Sequence, residues 1–241
     1  ALAAASDIVV LCLPGSPQVE QVVRAILSGG DVSGKTIVDC STSNPVSTRA
    51  LAEACRAAGV TMVDAPLSRT PKDAFEGNLD TMVGASQEDF ERLSPLIDTW
   101  SGKVVRVGEL GAGHTMKLLN NFVSLGYATI YAEALAIGAK NGIDAPTLHG
   151  IVGGGRMDCG FYQTFMNYVV GRDPNAHKFT LRNAHKDMRY LVSLANESGI
   201  ASNIASPVKN ALATAEALGK GDDFLPTLAD IVAGLNGLPK P

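Results

Sequence analysis

The stretch that decides the fold is VVRVGELGAGHTMKLLNN, residues 104–121, where one kind of sequence pattern gives way to another. It begins with a short β-branched run, breaks at glycines, and continues as an almost uncharged helical pattern that extends to about residue 141. A helix that is apolar nearly all round is typical of a segment buried in protein on every side. The stretch therefore predicts a change of domain class near residue 108.

Upstream of this stretch, short β-rich runs alternate with helical patterns. The runs predict strands at 7–13, 36–39, 61–65, 81–83 and 104–107, with helices at 17–27, 45–58 and 87–100. Asn44 followed by Pro45 is a typical helix start, with an N-cap and a proline in the first turn. This alternation predicts a wound α/β domain with a parallel sheet over residues 1–108.

Downstream, alanine and leucine recur at helical spacing, and glycine-rich or proline-containing breaks interrupt them near 142–146, 153–155, 171–174 and 219–223. Strand signals are scarce. We therefore expect an all-α domain over residues 109–241, whose first helix is a spine between domains or between subunits.

Composition narrows the class of protein. The chain has 241 residues, is 46% hydrophobic and has a net charge of −4, so no basic surplus favours nucleic acid. The longest strand-like apolar run, 8–13, is far shorter than a membrane span of roughly 18–20 residues. The four cysteines share no metal-type spacing, so we expect buried free thiols, no metal site and, by weak preference, the cytoplasm.

Lys117, Asn120, Asn121 and Ser124 follow one another at helical spacing within the apolar segment. Residues three and four apart share a helix face, so one amine and two amides line up. A lysine that loses hydration has a lowered pKa and suits proton transfer near neutral pH. On this pattern alone, a lysine that reaches the surface beside capping asparagines is the more common arrangement.

Three loops follow predicted strand ends, where open α/β sheets bind ligands. They are Leu13-Pro14-Gly15-Ser16, the segment from Cys40 to Pro45 that includes Thr42, and Ser68-Arg69-Thr70. An arginine with two hydroxyls suits a carboxylate, sulfonate or phosphate, although an exposed loop arginine beside a helix cap is commoner. Lys186-Asp187, His185 and His114 are, taken singly, ordinary structural or surface residues.

Taken together, these motifs resemble the 3-hydroxyisobutyrate dehydrogenase family, also called the β-hydroxyacid dehydrogenases. The similar segments span the chain in the family's order: Asp39-Cys-Ser-Thr-Ser-Asn-Pro45, Asp64-Ala-Pro-Leu-Ser68 with Gly77 to Gly84, Gly111-x-Gly-x-x-x-Lys117-x-x-Asn120-Asn121, and Lys186-Asp187.

The resemblance implies an NAD(P)-dependent interconversion of a small β-hydroxy acid and its aldehyde or ketone, with the ligand between a Rossmann domain and a helical domain. Lys117 would be the general acid in reduction and the base in oxidation, and Asn121 would position it and the reacting oxygen. Cofactor contacts would come from Leu13, Pro14, Thr42 and Lys186, and substrate contacts from Ser68, Arg69, Thr70, Asn120 and Ser124.

One departure from the family pattern concerns the cofactor. No G-x-G-x-x-G phosphate turn precedes Asp7, so about 60 residues of the Rossmann domain, its first β-α-β units, are expected to be missing from this sequence. Without that helix N-terminus the given chain should bind dinucleotide poorly, and the natural polypeptide is predicted to be longer. The residue that selects NAD or NADP lies in that part, with NAD slightly favoured.

A second departure concerns the substrate. Where most members have Ser-Gly-Gly, this chain has Ser68-Arg69-Thr70, similar to the branch that contains 3-sulfolactaldehyde reductase. A guanidinium suits a strong anion, and Arg69, Thr70 and Asn120 together match the three oxygens of a sulfonate.

Three hypotheses therefore stand. The first is a reductase of a small anionic aldehyde such as sulfolactaldehyde. The second is a carboxylate-specific 3-hydroxyisobutyrate or tartronate-semialdehyde type dehydrogenase. The third, from another class, is a noncatalytic anion-binding or oligomerisation module. The apolar helix also predicts a homodimer or homotetramer.

Overall fold

The computed structural model describes residues 2–241 and divides them into two compact units. The first comprises residues 1–120 with 193–200, and the second comprises 121–192 with 201–241. The long helices α5, Ala112–Lys140, and α8, Leu181–Glu197, each contribute residues to both units. The domain boundary expected at residue 108 stays a prediction.

The first unit is built on a six-stranded sheet. Its strands are β1 Ile8–Leu11, β2 Thr36–Asp39, β3 Thr61–Asp64, β4 Leu67–Ser68, β5 Leu79–Gly84 and β6 Ser101–Gly108. β1, β2 and β3 are parallel neighbours, β5 is antiparallel to β3 and β4, and β6 runs parallel to β5. The parallel sheet expected from the alternating pattern is confirmed for its first three strands.

Four helices accompany the sheet, namely α1 Ser16–Leu27, α2 Pro45–Ala57, α3 Pro71–Phe75 and α4 Gln87–Ile97. All four residues of β2 are buried, as expected of a central strand covered on both faces. The predicted helix start at Asn44 is confirmed, because its side chain accepts a hydrogen bond from the Val46 amide at 3.1 Å. The sequence prediction did not include β4 or α3.

The second unit is helical, as predicted. Beyond α5 it contains α6 Ala145–Val152, α7 Gly160–Val169, most of α8, α9 Ala205–Ala215 and α10 Leu228–Leu235. A π-helical turn, Glu216–Lys220, and a short 3-10 turn, Leu225–Thr227, join α9 to α10. Buried Tyr162, Phe165, Leu212 and Leu225 form much of its core.

Helix α5 differs from its prediction in two respects. Its inner side is buried, but Met116, Val123, Ile130 and Ile137 are exposed, so this chain alone does not cover it on every side. Its length and composition also meet the requirement for a membrane span, with a mean hydropathy of 1.3, which the sequence prediction of no such segment missed. Complete burial of Leu118 and Leu125 shows that its inner side packs within the protein.

The thiols were only partly predicted. Cys40 and Cys55 are buried as expected, whereas Cys12 and Cys159 are exposed. Cys12 follows the last residue of β1, where the chain leaves the sheet, so its strand-like sequence context was misleading.

Candidate active site

The start of α5 is held by a carboxylate at the end of β3. Asp64 is fully buried, and its two oxygens accept hydrogen bonds from the backbone amides of Gly111 and His114, each at 2.7 Å. A negative group there satisfies free amides and complements the positive end of the helix dipole. A side chain at Gly113 would lie 2.5 Å from the Met82 carbonyl and 2.9 Å from Asp64, so glycine is required for this approach.

His114, also fully buried, extends this polar cluster toward the end of β2. Its Nδ1 lies 2.8 Å from the Thr48 hydroxyl, which itself donates to the Asn44 carbonyl at 3.1 Å. Thr48 thus links the His114 ring to the backbone at the start of α2. Its Nε2 lies 3.7 Å from the carboxylate of Asp39, which accepts from the Ser41 amide and the Ser43 hydroxyl.

Burial raises the pKa of Asp64, while the nearby His114 and the two amide donors oppose that shift. Burial likewise raises the pKa of the neighbouring Cys40 thiol to about 12, with Cys12 and Asp39 adding to the effect. The edge of the sheet beneath α5 is therefore a desolvated polar cluster rather than an apolar seam.

Lys117 lies one turn into α5 and is half-buried. Its Nζ donates to the Ser68 hydroxyl at 3.1 Å. Ser68 is placed by β4, where it pairs with Asp80 of β5. The sequence singled out both residues, and the structure brings them together within the first unit.

Asn121 is buried in the second unit, where its Nδ2 donates to the Asp187 carboxylate at 2.7 Å. Lys186 Nζ lies 3.3 Å from the other oxygen of Asp187 and 5.7 Å from the ring centre of Tyr190. The sequence named Asn121 and Lys186 as site residues but gave Asp187 no role of its own.

Arg69 adopts φ of +88°, a conformation that favours glycine. Its guanidinium lies 2.9 Å from Asp80 and 3.8 Å from Asp73, and the Asp80 contact chiefly raises the pKa of Arg69. Thr70 caps α3 through Asp73, and its hydrogen bonds hold the pKa of Asp73 below the usual value. Both side chains predicted to bind substrate thus have partners within the chain.

Two loops meet at the carboxyl ends of β1 and β2. The Leu13 amide donates to the Ser41 hydroxyl at 2.9 Å, and the Asn44 amide donates to the Ser16 hydroxyl at 2.7 Å. These bonds leave Leu13 and Thr42 half-buried and Pro14 exposed at that edge. The predicted cofactor residues of the first unit therefore lie on one accessible rim.

The remaining candidates are placed as follows. Asn120 is exposed, and Ser124 donates to the Asn121 carbonyl at 3.0 Å. His185 pairs with Glu216 at 2.6 Å, which fits its interpretation as a structural histidine. Sequence reasoning gave no role to the supporting residues Asp39, Asp64 and Thr48, although Asp39 ends one predicted strand and Asp64 lies within another.

Two family descriptions match this chain. The NAD binding domain of 6-phosphogluconate dehydrogenase matches residues 1–108, and the NAD-binding domain of NADP-dependent 3-hydroxyisobutyrate dehydrogenase matches residues 111–229. These two matches, over a wound sheet and the helical region that follows it, identify an NAD(P)-dependent oxidoreductase.

The curated relatives narrow the class. The chain is 34% identical to 2-(hydroxymethyl)glutarate dehydrogenase of Eubacterium barkeri over 88% of its length and 70% of the relative. It is 30% identical to 3-hydroxyisobutyrate dehydrogenase of Pseudomonas aeruginosa over 91% of its length and 77% of that relative. The chain belongs to the 3-hydroxyisobutyrate dehydrogenase family.

At lower identity, 25%, it matches 3-sulfolactaldehyde reductase of Escherichia coli over 90% of its length and 73% of the relative. Among solved structures, 3-hydroxyisobutyrate dehydrogenase of Mycobacterium tuberculosis superimposes with a TM-score of 0.85 at 24% identity, covering 95% of this chain and 80% of that one. This superposition supports the fold.

Proposed function

We propose that this chain transfers hydride between NAD(P) and a small anionic β-hydroxy acid or its aldehyde, with Lys117 as the proton donor in reduction. The observation that supports this role is the placement of the Lys117 amine, half-buried on α5 and hydrogen bonded to Ser68. The Ser68 hydroxyl holds this amine at a defined position beside β4, as proton transfer to a bound substrate requires.

The rim formed by Leu13, Pro14 and Thr42 fits a dinucleotide. It lies where parallel strands end, and it offers apolar surface with a hydroxyl at its side. When bound there, NAD(P)H supplies the hydride. Leu13 and Pro14 would bury the cofactor's apolar surface, Thr42 would hydrogen bond to it, and Lys186 would contribute a positive charge near the nicotinamide end.

For the substrate we favour a carboxylate. Ser68 and Asn120 offer hydrogen bonds to such a group, whereas the Ser124 hydroxyl already donates to the Asn121 carbonyl. The relative at 34% identity is named for a carboxylic acid substrate. Arg69 has two carboxylate partners, so a substrate anion must compete with Asp80 and Asp73 for the guanidinium. A second candidate, a sulfonate aldehyde, is supported by the Ser68-Arg69-Thr70 loop itself, since a stronger anion suits an arginine better.

The exposed apolar face of α5 supports assembly into a homodimer or homotetramer. Met116, Val123, Ile130 and Ile137 recur every seven residues and are 41–65% exposed. Apolar side chains that repeat every seven residues are typical of a helix that packs against another helix. Residence in the cytoplasm fits the free thiols and the metabolic relatives.

The experiment that tests catalysis is NADH and NADPH oxidation by the full-length polypeptide with methylmalonate, tartronate and succinic semialdehydes and sulfolactaldehyde. Lys117→Met should lower kcat at least about 100-fold, because general acid catalysis by a placed group contributes that much. NADH affinity should be unchanged. Lys140→Met, at the exposed end of the same helix, is the matched control and should be as active as wild type. If Lys117→Met kept a tenth of the wild-type activity, Lys117 would be excluded as the proton donor.

The substrate class is tested at Arg69. Arg69→Gly should fold well, since glycine favours φ of +88°. The KM of a carboxylate substrate should stay within threefold of the wild-type value. The KM of a sulfonate substrate should rise at least tenfold, with little change in kcat. Asp80→Asn, which frees the guanidinium, should lower the KM of the sulfonate. An unchanged sulfonate KM in both variants would exclude Arg69 as the selector.

A further inference from the structure

The amide of Asn121 is buried together with the carboxylate it contacts. Asn121 is 8% exposed and Asp187 is 3% exposed, and Nδ2 donates to Oδ2 at 2.7 Å. The two residues lie on different helices, α5 and α8, and 66 positions apart in sequence. A short bond to a charged acceptor in so dry a place is strong and directional.

This contact decides which way the amide faces. An ionised carboxylate only accepts hydrogen bonds, so Asn121 must turn its NH₂ group toward Asp187. The flipped amide would place two oxygens 2.7 Å apart, without a proton between them. Because an amide is planar, Oδ1 is then held on the side opposite Asp187.

We propose that Asp187 is a positioning residue, which fixes the Asn121 amide so that its Oδ1 acceptor is presented to the reacting groups. This inference rests on the proposed function, which places Asn121 in the site. An acceptor there selects a partner that has a proton: the hydroxyl of the substrate alcohol, or the Lys117 ammonium on the same helix face one turn earlier. It repels the carboxylate or sulfonate of the substrate, and so directs that end elsewhere.

The pairing also explains why the motif contains an acid after Lys186. Lys186 Nζ lies 3.3 Å from Asp187 Oδ1, so one carboxylate holds a cation with one oxygen and the Asn121 amide with the other. The same carboxylate therefore contacts two residues that the sequence placed in the site.

The test is a swap of the two side chains in the full-length polypeptide. Asp187→Asn removes the charge that orients the amide, and kcat should fall at least 30-fold while the substrate KM changes less than threefold. Asn121→Asp sets two carboxylates face to face, and its kcat should fall at least 100-fold. The double variant Asn121→Asp/Asp187→Asn restores an amide donating to a carboxylate and again presents an oxygen to the site. The kcat of the double variant should be at least tenfold higher than that of the less active single variant.

Two controls separate this role from others. Asn183→Asp, an exposed change on the same helix as Asp187, should leave kcat unchanged. If Asp187 acts through Lys186 instead, NADH affinity will fall in both Lys186→Gln and Asp187→Asn. We expect NADH affinity to be unchanged in Asp187→Asn.

An Asp187→Asn enzyme within threefold of wild-type kcat would overturn the proposal, and so would a swap variant no better than the single variants. The swap also decides the matter if a single variant folds poorly, because it keeps the buried hydrogen bond. The Lys117→Met measurement is independent, so failure of the proposed function itself would be recognised separately.

Discussion

The two sides of helix α5 are fixed by different means. At its start, hydrogen bonds within the chain hold the backbone, because both oxygens of the buried Asp64 accept amides from Gly111 and His114. Along its outer face, the large side chains at Val123 and Ile130 contact solvent in this chain, at 54% and 59% exposure. The contacts at the start of the helix all form within a single chain. The outer face exposes apolar surface whose contact with water is unfavourable.

The difference shows what fixes the position of Lys117. Lys117 lies between the held start and the open face, one turn after His114. Its placement against Ser68 depends on the sheet edge and needs no second chain. Assembly through the open face would add stability without having to form the surroundings of Lys117.

The largest effect on stability is expected at Gly113. Gly113→Ala places a methyl 2.5 Å from the Met82 carbonyl and 2.9 Å from Asp64, and neither the strand nor the buried carboxylate has room to move. Overpacking of this kind should cost about 3 kcal/mol of unfolding free energy. Urea denaturation measures it.

Gly126 is the matched control on the same helix. A Cβ there meets no atom within 4 Å. Gly126→Ala should therefore stabilise the chain by about 0.5–1 kcal/mol, through helix propensity alone. If both variants lost the same free energy of unfolding, the start of the helix would be no more constrained than its middle.

A smaller loss is expected at Asp64. Asp64→Asn keeps one acceptor but turns an NH₂ group toward a backbone amide, and should cost about 2 kcal/mol for the unsatisfied pair. Because burial raises the pKa of Asp64 in the folded state, the carboxylate is unfavourable there at neutral pH. Its destabilising contribution is absent below the pKa of the unfolded chain and develops as pH rises through the folded pKa.

The pH dependence of unfolding separates the two contributions. The asparagine variant should lack the Asp64-linked decrease in stability with rising pH, and the exposed change Asp98→Asn should retain it. A wild-type curve that superimposes on that of Asp64→Asn over the acidic range would contradict the assignment.

The same contrast explains what sequence could predict. Periodicity predicted the first three parallel strands, α1, α2 and the helical second unit, because each uses a repeated pattern along several residues. It missed β4 and α3, which have two and five residues and depend on pairing with β5 and on the Thr70 cap. Short elements stabilised by tertiary contacts leave no periodic signal.

The site divides in the same way. Lys117, Asn121 and Ser68 could be proposed as site residues because their spacing or loop position is visible in sequence. The partners that hold them, Asp187 above all, lie 66 residues away, so no local pattern indicates the contact. The apolarity of α5 likewise did not distinguish a face buried in its own chain from one left for a second chain.

The smallest effect on chain stability, and the sharpest test of the open face, is expected at Ile130. Ile130→Lys should change the unfolding free energy by no more than about 0.5 kcal/mol at a concentration where the proteins are monomeric, since an exposed side chain loses few contacts. Sedimentation equilibrium should nevertheless show that it dissociates the wild-type oligomer, because a charge in the middle of an apolar helix–helix contact must be desolvated. Ile151→Lys, at an 80% exposed position on α6, should leave the mass unchanged. An Ile130→Lys protein that keeps the wild-type mass would show that the face is not the contact between chains, and a monomeric wild type would show that no such contact forms.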